Sequence, residues 1–268
     1  MLFPLLPMRG CQSRVAAVVA GAIICGATLL TPVRAAVMQI SPVRIEFLPG
    51  QRAQTLQVVN RGKDTMSAQV RVMRWRQADG RNVLEPATDV VASPAIMKIR
   101  SGQKQTVRLV RLDTSAPAQQ MAYRVLLNEL PSEEVQNWSG LRVLQGHSVP
   151  LFVDTPAPKT AQPARPKKQI FTDLSDVQAQ LGGGGAGSAR LRVSNGGTKA
   201  LRISNVFTQS ANGQLRSVEG GLLGYVLPGQ QMTWPIELAY PLAPGLTLKA
   251  RFNDDTEAQA VPLEGAGR

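Results

Sequence analysis

Residues that could carry out catalysis or bind a metal ion are few in this sequence. The one histidine is His147, and the two cysteines are Cys11 and Cys25. Both cysteines lie in an N-terminal segment that we expect to be cleaved off, so the mature chain would contain no thiol nucleophile, thiolate metal site or disulfide. A single imidazole would need a cluster of carboxylates to bind a metal ion, and no such cluster stands out. We therefore predict neither a metal site nor a cofactor.

Serine and glycine motifs do not indicate an enzyme either. A Ser-His-Asp triad including His147 is arithmetically possible, but no serine has the glycine spacing of a nucleophile elbow. Residues 182–185 are four glycines without the Lys-Ser/Thr of a phosphate-binding loop, and we predict that they join two strands. Residues 137–139 (Asn-Trp-Ser) match a glycosylation acceptor, a tripeptide that also arises by chance. The prediction is a protein that is not an enzyme.

The chain is strongly basic, with 30 Lys and Arg against 18 Asp and Glu and a net charge of +12. Such a surplus favours anionic partners, among them nucleic acid, a membrane surface or exposed carboxylates. Aromatic residues make up only 4% of the chain, and no compact Lys/Arg run is interleaved with them. Nucleic acid is therefore not among the expected partners.

The N-terminus has the order of a secretory signal peptide. Arg9 and Arg14 precede an uncharged apolar run over residues 15–30, and Ala35 and Ala36 provide a small-residue cleavage site. The alternative, a membrane anchor, is disfavoured because the run is short for a hydrocarbon core roughly 30 Å thick. We predict a signal peptide over residues 1–36 and no stable membrane insertion after its cleavage.

After the signal the pattern has period two in short runs separated by Gly, Pro, Asn and Asp, which is typical of strands. Predicted strand regions cover residues 37–47, 54–60, 67–76, 96–99, 105–112, 121–130 and 141–153. Pro42 suggests an edge or a switch point within the first of them. These strands and the lack of a helical period predict an antiparallel β-sandwich domain over residues 37–154.

A proline-rich segment separates this domain from a second all-β region. Residues 155–169 are rich in proline and also contain lysines. Such a segment cannot continue a sheet, so we predict that it is a semi-rigid linker. The second domain is predicted over residues 170–263, with a flexible tail at 264–268. Its predicted strands cover residues 178–181, 189–194, 200–208, 230–238 and 246–252.

Four motifs and their order resemble a known family. They are residues 41–47 (SPVRIEF), 103–109 (QKQTVRL), 123–131 (YRVLLNELP) and 148–153 (SVPLFV), followed by the proline linker. Each motif is weak alone, but together with the export signal they resemble the periplasmic chaperones of the chaperone–usher pilus pathway, the PapD-like family. The resemblance covers nearly all of residues 37–153 and is looser across 170–260.

The resemblance implies two immunoglobulin-like β-sandwich domains in an L-shaped arrangement. It also implies binding to incomplete pilus subunits by donor-strand complementation, and delivery of those subunits to an outer-membrane usher. The donated strand would be the first half of residues 141–153. Leu141 and Val143 share one face, with Gln145 next in phase, whereas Leu144 would take part if a bulge shifts the register. The alternative is that these residues fill the protein's own core.

In that family a basic pair binds the subunit's C-terminal carboxylate. Arg44 matches the arginine of the first strand, but Pro150 stands where the family has a lysine. The Ser-Val-Pro-Leu-Phe form resembles the archaic branch of the family. If a second base takes part, Arg124 is the first candidate and Arg108 the second. Arg108 could instead form an ion pair between the domains.

Two other classes of protein compete with the chaperone interpretation. A secreted β-sandwich adhesin or structural pilus subunit would usually have one incomplete domain and an N-terminal extension. A periplasmic hydrolase would need the catalytic groups that the sequence lacks. A neighbouring gene for an outer-membrane usher would favour the chaperone.

Overall fold

The computed structural model describes residues 38–131, 143–156, 171–185 and 188–264. These residues form seventeen strands and no helix. In chain order the strands are β1 (Met38–Ser41), β2 (Ile45–Phe47), β3 (Ala53–Asn60), β4 (Met66–Ala78), β5 (Arg81–Pro86), β6 (Val90–Ser93), β7 (Ile96–Ile99), β8 (Lys104–Arg111), β9 (Met121–Leu130), β10 (Gly146–Val153), β11 (Val177–Gly185), β12 (Ser188–Asn195), β13 (Leu201–Gln209), β14 (Leu215–Val226), β15 (Gln230–Ile236), β16 (Thr247–Phe252) and β17 (Gln259–Ala260). Across the described ranges, no helix has the length and apolar character needed to cross a membrane.

The first domain is a sandwich of two sheets. Sheet A has the order β1-β3-β8-β6, and sheet B has the order β2-β10-β9-β4-β5, with β7 also paired to β4. Alternate residues of each strand point into the space between the sheets, so β3 buries Leu56 and Val58 while β8 buries Val107 and Leu109. Each such side chain contributes about 1.5–3 kcal/mol when it is fully buried. This predicted sandwich is confirmed.

Pro42 marks the point at which the chain changes sheets. Before it, β1 pairs antiparallel with β3 in sheet A. After it, β2 pairs parallel with the end of β10 in sheet B. The switch point suggested by Pro42 is thus present, and it leaves β2 only three residues long.

The second domain has the same kind of architecture, with its own core. Sheet C has the order β11-β12-β15, and sheet D has the order β14-β13-β16-β17. Residues from both sheets meet in a separate apolar cluster that includes Leu191, Ile203, Val226, Ile236 and Phe252. Two cores on either side of the proline-rich segment agree with the predicted pair of sandwiches. Residues 157–170, which include most of the predicted linker (155–169), lie outside the described residues, as do the predicted signal peptide (1–36) and the residues after Glu264, so the domain boundaries stay predictions.

Several strands differ from their prediction. The glycines at 182–185 were expected to join two strands, but they belong to β11, where Gly182 pairs with Arg190 and Gly183 with Ala189. That expectation was wrong because backbone pairing with β12 needs no side chain. Strands β5, β6 and β14 were not predicted, because β5 and β14 consist mostly of exposed or half-buried positions without a regular alternation and β6 is only four residues long.

An apolar cluster joins the two domains. Trp75, Ala122 and Phe152 of sheet B pack with Ala200, Tyr225 and Leu227 of the second domain. The Trp75 and Tyr225 rings meet edge-on with 5.5 Å between their centroids. Trp75 is buried in this cluster against the second domain and not within the sandwich core of its own domain.

Two buried glutamines hydrogen-bond across this boundary. The Gln77 side chain donates to the Tyr225 carbonyl (2.8 Å) and accepts from the Leu227 amide (2.9 Å). The Gln120 side chain donates to Asp154 Oδ1 (2.6 Å) and accepts from the Ala200 amide (2.9 Å). Such bonds satisfy backbone groups that the packed cluster shields from water.

Candidate functional site

The first half of β10 has one unpaired edge among the described residues. β9 pairs with β10 along its whole length, from Gly146 to Val153. On the other edge, β2 covers only Leu151 to Val153. Residues 146–150 therefore form an open sheet edge, which we call the free edge. A row of unpaired backbone groups of this kind is a template for another strand.

The backbone groups that face the free edge follow from the pairing with β9. Gln145 and Glu129 are a hydrogen-bonded pair, because the Glu129 amide donates to the Gln145 carbonyl at 2.8 Å. Bonded and non-bonded pairs alternate along an antiparallel ladder. Gly146, Ser148 and Pro150 therefore direct their backbone groups away from β9. Pro150 has no N–H to donate, so its place in the strand disturbs no bond to β9.

The predicted donor residues lie at the start of this edge. Leu141 is outside the described residues. Val143 is 72% exposed and Leu144 is 41% exposed, and both precede β10. The chain thus presents two large apolar side chains to solvent beside an open sheet edge, a combination typical of an interaction surface.

Gln145 already has partners within the chain. Its side-chain oxygen accepts a hydrogen bond from the Met38 amide at 2.7 Å, which ties the first described residue to the start of β10. Its own amide donates to Glu129 Oε2 at 3.2 Å. The use of Gln145 as a donor-strand side chain stays a prediction.

The lone histidine lies in β10 with the core-facing residues. His147 is in phase with Val149 and Leu151, and its buried Nε2 has no hydrogen-bond partner in the part of the chain described. No group of three metal-ligating side chains occurs among the described residues.

Arg44 stands directly before β2, at the point where the free edge ends. Its guanidinium forms ion pairs with Glu46 and, at 3.7 Å, with Asp254 of the second domain. It also lies 5.3 Å from the centroid of the Phe152 ring, a cation–π distance. These contacts hold the Arg44 side chain at the boundary between the domains, with 26% of it exposed.

Arg124 lies opposite Pro150 in the β9–β10 pairing. Its guanidinium stacks over the Trp75 ring at 3.8 Å and lies 5.4 Å from the Tyr225 ring. Burial lowers the pKa of Arg124, and Tyr225 partly opposes this shift. None of the ion pairs between described residues includes Arg124. The structure therefore brings Arg124 to the same aromatic cluster as Arg44.

Arg108 is not brought to this site. It lies in β8 of sheet A, where it pairs with Thr55 and Ser93 and is exposed to solvent. Arg44 and Arg124 both belong to the side of the molecule formed by sheet B. Both arginines point away from the sandwich core, and they differ in their sheet: Arg108 lies on the outer face of sheet A and Arg124 on the outer face of sheet B.

Two residues of the second domain join the site without having been predicted. Arg202 of β13 forms an ion pair with Asp254 at 3.2 Å, and Asp254 also reaches Arg44. Asp254 follows β16 in an Asn-Asp turn, in which Asn253 has a φ of 45°. The sequence signal was this Asn-Asp pair after a clearly alternating strand, since Asn tolerates positive φ and often marks turns.

Together these features define a class of protein: two immunoglobulin-like sandwiches with a free edge and an arginine-rich boundary. Residues 37–159 match the family model described as pili and flagellar-assembly chaperone, PapD N-terminal domain. The matched residues include the whole described first domain, and the match confirms the resemblance seen in the sequence. No curated protein matches the chain in sequence.

Solved structures share the fold over both domains. A chain from the CsuC–CsuE chaperone–tip adhesion subunit complex of Acinetobacter baumannii, from archaic chaperone–usher Csu pili, is 19% identical with a TM-score of 0.59; the match covers 85% of our chain and 98% of that one. The CupB2 chaperone of Pseudomonas aeruginosa is 17% identical with a TM-score of 0.51, over 83% and 97% of the two chains. A chain from the complex of the Salmonella enterica SafA pilin with the SafB chaperone is 18% identical with a TM-score of 0.51. That match covers 84% of our chain and 94% of the other.

Proposed function

We propose that this protein is a periplasmic chaperone that binds pilus subunits by donor-strand complementation and delivers them to an outer-membrane usher. The observation that carries the proposal is the free edge of β10, open over residues 146–150 and closed by β2 from Leu151 onward. The family of the first domain supports the same role. The matched Csu structure and the Pro150 variant of the last-strand motif support the archaic branch.

The free edge would serve a subunit that lacks one strand of its own sandwich. Such a subunit exposes unpaired backbone and an apolar groove, both of which promote aggregation. Backbone groups of Gly146 and Ser148 would pair with the subunit's edge strand, and the apolar side chains of Val143 and its neighbours in phase would fill the groove. The subunit's own collapse on this strand would drive the process, so the chaperone needs no nucleotide and performs no catalysis.

The end of the free edge favours a C-terminal carboxylate. A subunit strand added along residues 146–150 would pair with the same edge of β10 as β2, so it must end where β2 begins. Arg44 stands at that point. A chain that ends there with its carboxylate gains a charge-assisted hydrogen bond worth ~1.5–3 kcal/mol. Arg124 is the proposed second base, since it lies opposite Pro150 and has an unpaired guanidinium among the described residues.

The alternative of a secreted adhesin or structural pilus subunit is not favoured. Each of the two described sandwiches has two sheets and its own buried core. A structural subunit of such pili would instead lack a strand from its sandwich. Within the described ranges of this chain, the open feature is an available strand edge.

Coexpression in a bacterial periplasm tests the proposed function. The chain would be expressed with each small β-sandwich subunit encoded beside its gene, and complexes would be recovered through a tag on the chaperone. We expect the subunit to be protected from proteolysis and to copurify at equal stoichiometry. No protection of any such subunit would contradict the proposal.

A proline in the free edge provides a matched pair of variants. Ser148→Pro removes an N–H that points away from β9, so the domain should fold, as Pro150 shows that proline fits such a position. Ser148→Ala keeps this N–H. We expect Ser148→Pro to lose the subunit complex and Ser148→Ala to retain it. Equal complex recovery from both would mean that the subunit does not pair with this edge.

A further inference from the structure

Asp254 is held at the domain boundary by the turn in which it lies. The Asn253 amide donates to the Arg202 carbonyl at 2.9 Å, and the Arg202 amide donates to Asn253 Oδ1 at 3.0 Å. Arg202 also donates from its guanidinium to the Asn253 carbonyl. These bonds direct the Asp254 carboxylate toward Arg202 and Arg44, although 82% of the Asp254 side chain is exposed to solvent.

The two arginines have more hydrogen-bond donors than the chain satisfies. Nε and Nη1 of Arg44 and Nε of Arg202 are buried and have no hydrogen-bond partner among the described residues. The 3.7 Å between Arg44 Nη1 and Asp254 is an ion-pair distance and too long for a hydrogen bond. Buried donors of this kind call for an explanation, and an anion site whose donors Asp254 satisfies only in part is one.

We propose that Arg44 and Arg202 form one carboxylate site shared by the two domains, and that Asp254 occupies it until a subunit's C-terminal carboxylate displaces it. This inference rests on the proposed function for the identity of the ligand. The site suits a carboxylate because its present occupant is one, and because guanidinium groups bind two carboxylate oxygens side by side. Arg202 is thus a subunit-binding residue contributed by the second domain.

The arrangement has a consequence for selectivity. Asp254 is tethered beside the arginines, so a free anion must compete with a carboxylate present at millimolar effective concentration. A subunit brings backbone pairing along the free edge as well as its carboxylate, and therefore displaces Asp254. Small anions of the periplasm would leave the site unchanged.

Acetate is the probe for this site, with acetamide as its uncharged counterpart. The Nε–H signals of Arg44 and Arg202 would be followed by NMR in the ¹⁵N-labelled mature chain during titration. In Asp254→Asn we expect both signals to shift at about tenfold lower acetate concentration than in the unaltered chain, because the tethered competitor is gone. Acetamide should shift neither signal.

Two further variants test the role of Arg202. Asp254→Asn combined with Arg202→Gln should lose the gain in acetate response. Asp254→Asn combined with Arg251→Gln, which removes an exposed arginine of β16, should keep it. An unchanged acetate response in Asp254→Asn, or a response of Arg44 alone, would overturn the proposal.

The outcome is separable from that of the proposed function. Acetate binding needs no subunit, so a failed coexpression experiment with a normal acetate response contradicts only the chaperone function. A recovered subunit complex with no acetate gain in Asp254→Asn contradicts only the shared site. If Asp254→Asn lowers the melting temperature without any gain in acetate response, Asp254 is a tie between domains and the proposal is wrong.

Discussion

Arg124 lies directly opposite Pro150 in the pairing of β9 with β10, and its guanidinium stacks on the Trp75 ring at 3.8 Å. The position that carries a lysine in the resembling family is thus uncharged here, while its neighbour across the ladder is cationic. Stacking orients the guanidinium and keeps its charge near the end of the free edge. We propose that Arg124 provides the charge that Pro150 lacks.

This relationship predicts that a lysine at position 150 can compensate for the loss of Arg124. Arg124→Ala should reduce recovery of the subunit complex about tenfold or more, because a charge-assisted bond of ~1.5–3 kcal/mol is lost. Pro150→Lys in the Arg124→Ala background should restore recovery by returning a base to the next strand. Arg108→Ala, which removes an exposed charge from sheet A, is the matched control and should have no effect. If Arg108→Ala and Arg124→Ala act equally, Arg124 is not an anchor.

Arg44→Ala should remove the subunit complex while the protein stays folded. The side chain is 26% exposed and lies outside both cores, so its loss leaves the packing of the sandwiches intact. Copurification of the subunit and the thermal melting curve would be measured together. A complex recovered in full from a folded Arg44→Ala protein would exclude Arg44 from the anchor.

The donor face can be tested with two adjacent exposed residues. Val143→Asp should weaken the complex strongly, because a carboxylate would enter the subunit's apolar groove without a partner. Leu144→Asp introduces the same charge in the opposite phase and should have a smaller effect. Complex recovery at increasing salt concentration would measure both. A larger effect at Leu144 would indicate the bulged register and exchange the two faces.

Gln77 is predicted to be important for the coupling of the two domains. Gln77→Ala leaves the Tyr225 carbonyl and the Leu227 amide buried without their partner, which costs about 2–6 kcal/mol in total. Denaturant unfolding should show this loss, with faster amide exchange at Leu227. Gln105→Ala removes an exposed side-chain bond to the carbonyl of the neighbouring Thr106 and should leave unfolding unchanged. Unaltered stability of Gln77→Ala would disprove the coupling.

We expect the raised pKa of Tyr123 to make the folded protein less stable at alkaline pH. Burial and the hydrogen bond to Asp89 raise the pKa of Tyr123 well above its ordinary value of 10.0, although Arg74 opposes the shift. Because the pKa is raised in the folded state, the stabilisation is complete below the unfolded pKa near 10 and is lost as the pH rises toward the folded pKa. The loss amounts to at most about 1.4 kcal/mol per pH unit.

Comparison with Tyr123→Phe isolates this contribution. The variant lacks the ionisable hydroxyl, so its unfolding free energy should fall less steeply than that of the unaltered chain above about pH 10. Tyr225 and Tyr240 are present in both proteins and cancel in the comparison. Parallel curves for the two proteins would contradict the assignment.

Much of the fold could be predicted because it depends on neighbouring residues. The alternation in β3, β8 and β9 is a local feature, and the structure confirms it. β14 was not predicted from the sequence, because its pairing with β13 is irregular and has several shifts of register. Its strand form depends on that partner and not on its own pattern.

The site was predictable only in part. Arg44 and Arg124 could be named because they lie in motifs that resemble a family. Arg202 and Asp254 could not, because nothing in their local sequence shows that the second domain brings them to Arg44. Arg108 resembles Arg124 as an arginine in an alternating strand, and only its sheet distinguishes them.

The sequence alone determined that the chain is all-β, that it has two sandwich regions around a proline-rich segment, and that it carries an excess of Lys and Arg over Asp and Glu. These properties follow from side-chain period, proline and glycine punctuation, and composition. The tertiary structure decided which half of β10 is open, because that depends on where β2 ends beside it. It also decided that Arg44 and Arg202 share Asp254, since charges far apart in sequence meet only when two domains pack together.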